Sequence, residues 1–122
     1  MRRLRNNNSG FTLMEVLVAM LILSVGLLGM AALITGIINS NKLSNRISAA
    51  TVLAQDKMED IKRIGYSNAV SETKASMSSP YDKYEREVTV VDDSPAANMK
   101  TVTVTVYWES SKSVSLQTIL SQ

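Results

Sequence analysis

The chain has 122 residues, 13.4 kDa, with a formal charge of +2 and a pI near 9.0, which is enough for one small domain. It contains no Cys and no His, which together excludes thiol nucleophiles, disulfides, Cys/His zinc sites, imidazole bases and Ser-His-Asp triads. The charge is uneven: Arg2, Arg3 and Arg5 supply the excess, Glu15 offsets part of it, and from Asn39 onward ten basic side chains balance ten acidic ones, so the high pI is no argument for nucleic-acid binding.

The first element is apolar. Of the 28 residues Phe11 to Ile38, 21 are hydrophobic, and Glu15 is the only charged residue between Arg5 and Lys42. A helix rising about 1.5 Å per residue needs roughly 20 residues to cross a bilayer, so Val16 to Ile38 is long enough. It lacks the polar stripe of a soluble amphipathic helix. The arginines before it and the neutral remainder after it favour a cytoplasmic amino end. A secretory signal peptide has a shorter apolar run with a small-residue cleavage site behind it; here the best such site, Met30-Ala31-Ala32, falls inside the run. A plain single-pass anchor leaves Glu15 unexplained, because a carboxylate in a hydrophobic segment is costly and calls for a partner or a function.

Ser9-Gly10-Phe11-Thr12-Leu13-Met14-Glu15-Val16-Leu17 resembles the prepilin signal of type IV pilins and type II secretion pseudopilins: a short basic leader ending in Gly, then Phe-Thr-Leu-x-Glu, then an unbroken apolar helix. The resemblance covers Arg2 to Ile38. It implies that a prepilin peptidase cuts between Gly10 and Phe11, that the new amino group of Phe11 is methylated, and that Glu15 serves filament assembly. An ammonium group at a helix N-terminus is poorly placed against the helix dipole, and a carboxylate from a neighbouring subunit would neutralise it in a charge-assisted pair. Family members often carry a Pro in the second half of this helix, whereas this chain has Ala31 and Ala32 there and no Pro before Pro80. Gly26, Gly29 and Gly36 suit either close helix packing or a segment that loosens on assembly.

Beyond the apolar run, Ile38, Leu43, Ile47, Ala50, Ala54, Met58, Ile61 and Ile64 recur at mainly three- and four-residue steps, an amphipathic face that extends the helix to Gly65. Phe11 to Ile64 as one helix would measure about 80 Å. Leu53 to Ile61 resembles the second helical half of V-type minor pilins. Residues 66–83, rich in Ser, Asn, Thr and Ala, read as an irregular connector.

Two strands follow, at Tyr84–Val91 and Lys100–Trp108, and a shorter third at Val114–Leu120. Val102, Val104, Val106 and Trp108 alternate with Thr101, Thr103, Thr105 and Tyr107, which places the valines inward. Tyr84, Val88 and Val90 share one face of the first strand, and Val114, Leu116 and Leu120 point inward from the third. Asp92-Asp93-Ser94-Pro95 is turn chemistry. Lys100 to Leu120 resembles the C-terminal hairpin of V-type minor pilins.

Three further clusters have plainer readings. Asp92, Asp93 and Ser94 offer calcium-type oxygens, but no Gly-bearing ligand loop accompanies them. Tyr66, Tyr81, Tyr84, Tyr107 and Trp108 could stack bases or sugars, but no basic patch goes with them. Glu85 and Glu87 share a strand face without a cleft signature.

The expected fold is α+β: a long N-terminal helix, half transmembrane and half amphipathic, packed on a small antiparallel sheet of about three strands. The expected organisation is a cytoplasmic leader at 1–10, a transmembrane and filament-core helix at 11–38, an amphipathic helix at 39–65, a connecting loop at 66–83 and the sheet at 84–122. The resemblance implies a non-enzymatic minor pilin with no cofactor and no metal. Its partners would be the prepilin peptidase, other pilin subunits, an inner-membrane assembly platform and, before assembly, the lipid bilayer; no nucleic acid is expected. A minor pseudopilin of a type II secretion system and a membrane-anchored periplasmic binding module are the alternatives.

Overall fold

A computed structural model describes residues 10–122; Arg2, Arg3, Arg5 and the rest of the expected leader before Gly10 lie outside the described residues. The element order is one helix, α1 (Leu13–Ile64), a short 3-10 turn (Tyr66–Asn68), and four strands, β1 (Glu72–Ser76), β2 (Glu85–Asp92), β3 (Met99–Glu109) and β4 (Lys112–Ser121). The chain divides into two compact units, one ending at Ser40 and the other Asn41–Gln122.

In the first unit every residue from Gly10 to Ser40 is exposed. No Pro interrupts it, and the polar side chains inside it turn back on the helix: Ser24 Oγ donates to the Met20 carbonyl at 2.7 Å and Thr35 Oγ1 to that of Ala31 at 3.1 Å. That local bonding satisfies hydroxyls that would otherwise be costly in an apolar medium. Among the described residues, α1 is the one helix long and apolar enough to cross a membrane.

In the second unit the helix packs on the sheet. Ala50, Leu53, Ala54, Met58 and Ile61 from α1 meet Ala69 and the wholly buried Val88, Val102, Val104 and Val106. Ala50 and Ala54 have no side chain beyond Cβ, so the helix backbone can approach the valines closely. Burying each valine contributes about 1.5–3 kcal/mol. The buried face is shorter than the periodicity predicts: Leu43, Ile47 and Ile64 lie on it yet remain exposed, and Leu53 joins the core instead. The helix stops where expected. Gly65 adopts φ 79°, in the region that favours glycine; its N–H donates to Ile61 at 3.1 Å, and Asn68 Nδ2 donates to the Ile64 carbonyl at 3.1 Å.

The sheet is an antiparallel meander in the order β1-β2-β3-β4. Its register aligns Val88 with Val104 and Val104 with Leu116, and Val90 with Val102, so the apolar residues of three strands fall in rows on one face. The turn from β2 to β3 uses Asp93 and Asn98 at positive φ, and Asp93 Oδ1 accepts the Asn98 N–H at 3.2 Å; these are the non-glycine residues that tolerate this region best. The α+β architecture is therefore as expected, with one difference. A fourth strand, β1, lies within 66–83, the stretch read as a connector. Its sequence, Glu-Thr-Lys-Ala-Ser, is exposed throughout and has no apolar alternation; it is a strand because it pairs with β2, with a bulge between Glu72 and Ala75.

Candidate functional site

The sequence places the site at the start of α1, and the local bonding there is specific. Gly10, Phe11 and Thr12 precede the helix. The Thr12 carbonyl accepts from the Glu15 N–H at 3.1 Å and the Val16 N–H at 3.2 Å, while Thr12 Oγ1 accepts from the Glu15 N–H at 3.2 Å. Thr12 is thus the N-cap, and Thr12-Leu13-Met14-Glu15 has the spacing of a capping box. The reading of the sequence overlooked Thr12, although the Thr-x-x-Glu pattern was there to find.

Glu15 falls in the first turn of α1, where the helix dipole favours a negative charge. Phe11 is 84% exposed and lines one shallow surface hollow with Glu15, Val16, Ala19, Met20 and Leu23. The structure thus brings Phe11 and Glu15 to the same side of the helix start. Among the described residues, nothing beyond its chain neighbours lies within 4 Å of where a Cβ on Gly10 would stand.

The other candidate groups are engaged elsewhere. On the sheet face away from the helix, Lys74 Nζ pairs with Glu85 Oε2 at 2.8 Å and lies 4.3 Å from the centroid of the Tyr107 ring, and Tyr107 Oη donates to Glu87 Oε2 at 2.9 Å. The hydrogen bond to Glu85 raises the Lys74 pKa, and the bond to Glu87 raises that of Tyr107. Glu85 and Glu87 therefore serve different partners rather than acting as a pair. Asp92 contacts Lys100 Nζ at 3.2 Å, and Asp93 holds its own turn. The aromatic residues form no common platform: Tyr84 and Trp108 pack against the core, Tyr107 lies on the opposite face, Tyr66 sits under Lys100 Nζ at 4.9 Å, and Tyr81 meets Tyr84 edge-on at 6.5 Å. Trp108 Nε1 is buried with no acceptor among the described residues.

Residues 5–31 match the family model of the prokaryotic N-terminal methylation motif. No curated protein and no solved structure matches the chain. The motif, the long N-terminal helix and the small antiparallel sheet fit a type IV pilin-like protein, in the broad sense that includes pseudopilins. They indicate a structural subunit, and the apolar helix is consistent with membrane anchoring.

Proposed function

We propose that the chain is a minor pilin of a type IV pilus. It is inserted in the inner membrane with its amino end in the cytoplasm and cut by a prepilin peptidase. After methylation on Phe11 it is assembled into a filament through its N-terminal helix. The observation that carries this reading is that the methylation motif at 5–31 spans the start of a helix that is capped by Thr12, begins at Leu13, has Glu15 in its first turn and leaves its apolar surface uncovered as far as Ser40.

The steps follow from the chemistry. Hydrolysis of the Gly10–Phe11 peptide bond adds one water and leaves a carboxylate on Gly10 and an ammonium on Phe11. That ammonium sits beside a helix start, where the aligned peptide dipoles disfavour positive charge. Glu15 of an adjacent subunit supplies the compensating charge. In the apolar packing of helices that pair is poorly screened, and it would fix the axial register between subunits. The uncovered side chains from Leu13 to Ile38 pass from lipid contacts to contacts with neighbouring helices, guided by the assembly platform. The short β3–β4 turn and the absence of cysteine support a structural or priming role over a disulfide-closed receptor-binding tip.

Intact mass spectrometry tests the reading. A chain recovered from cells with an active peptidase should lack residues 1–10 and carry one methyl group on Phe11. Recovery of the uncut chain from such cells would sink the proposal and favour a simple anchor.

A further inference from the structure

The geometry at the helix start points to a role for a residue outside the cut itself. We propose that Thr12 is a positioning residue for processing: by capping α1 it holds the Gly10–Phe11 peptide outside the helix, in the open backbone state that a peptidase can attack. The inference rests on the leader-cleavage reading above.

Three observations carry it. Gly10 and Phe11 are non-helical, and α1 begins at Leu13, immediately after Thr12. The boundary is held by one side chain, Thr12 Oγ1, accepting the Glu15 N–H at 3.2 Å. The residues that follow form an unbroken helix, so the helical segment presses directly on the cleavage point. A peptide bond inside a helix has its neighbours fixed at helical dihedrals and must be unwound before hydrolysis, so its cleavage rate follows the population of the open form. A helix whose N-cap is removed can start earlier and draw Phe11, then Gly10, into its first turn. Gly10 opposes that extension because glycine is a poor helix former; Thr12 opposes it by bonding the helix end in place. The two residues flanking Phe11 thus act in the same direction. Hydrolysis at Gly10–Phe11 needs only water and the peptidase, and Thr12 takes no part in bond making or breaking.

The test is a time course of cleavage of the full-length chain in detergent micelles by purified prepilin peptidase, read by the loss of residues 1–10. Thr12→Val keeps the shape and removes the acceptor; it should slow cleavage about fivefold, the ratio that one lost N-cap makes in an equilibrium constant. Thr12→Ser and Thr12→Asn, which cap at least as well, should cut at or above the wild-type rate. Wild-type speed in Thr12→Val overturns the inference. So does an equal slowing in all three variants, since the peptidase would then be reading the threonine side chain itself. An uncut wild-type chain would instead overturn the leader reading and take this inference with it, so the two failures are distinguishable.

Discussion

Glu109 is a surface carboxylate that joins two elements of the second unit. It lies at the end of β3, where Lys112 Nζ reaches its Oε2 at 3.0 Å and Arg46 of α1 contacts its Oε1. The hydrogen bond from Lys112 is the main cause of a pKa below the ordinary carboxylate value of 4.5, with Arg46 adding to it. A carboxyl whose folded-state pKa is lowered contributes stability above its unfolded value and loses that contribution as pH falls through the folded value. Acidification from about pH 5 should therefore lower the Tm of the wild-type chain more than that of Glu109→Gln, measured by circular dichroism in the same detergent. Equal acid sensitivity would mean that the exposed ion pairs contribute nothing, as many such pairs do. The pairing itself was not legible in the sequence, because Arg46 and Glu109 are 63 residues apart and only the fold brings them together. Thr12 is the opposite case: its role as a cap was legible three residues ahead, in the Thr-x-x-Glu spacing.

The elements differ in how far they could be read in advance. β3 was legible because Val102, Val104 and Val106 alternate with threonines, and burial follows that alternation, with all three valines wholly inaccessible. β1 was not legible because none of its side chains is buried; what makes it a strand is its pairing with β2, supported by the Lys74–Glu85 pair and by Ser71 Oγ accepting the Val90 N–H at 2.9 Å. Its charges also suit an edge position, since Glu and Lys discourage further strand addition there. Along α1, periodicity alone marks Leu43 and Ile47 as equal to Ala50 and Ala54. The structure separates them, because the sheet covers only the stretch from Ala50 to Ile61. Ala54 is fully buried in this helix–sheet contact, so Ala54→Leu should overpack it and cost about 1–3 kcal/mol in denaturant unfolding. The same substitution at the exposed Val52 should cost far less. An unchanged midpoint for Ala54→Leu would show that helix and sheet are less closely fitted than described.

At the scale of the whole molecule, the two units bury very different fractions of themselves. The unit Asn41–Gln122 holds its own core, whereas Gly10–Ser40 leaves all its apolar surface uncovered. Such a surface is stable only in lipid or against other helices, which is the whole-molecule reason for placing this segment in one of those two settings. The proposed role of Glu15 belongs to this scale, since its partner would be in another copy. Glu15→Ala should leave membrane insertion and leader cleavage largely unchanged but strongly reduce recovery of the chain in sheared filaments, assayed by immunoblot. Normal incorporation would show that Glu15 does not set register between subunits.

The sequence by itself determined the apolar segment, the motif around Gly10, Phe11 and Glu15, the helix end at Gly65 and the alternation of β3. Each of these is written in neighbouring residues, whose spacing directly reflects the 3.6- or two-residue period of the backbone. Only the tertiary structure decided that β1 is a strand, that Leu53 rather than Leu43 or Ile47 enters the core, and that Arg46 meets Glu109. Those outcomes depend on which distant segment covers or pairs with a residue, and burial and strand pairing are properties of that partner as much as of the residue itself.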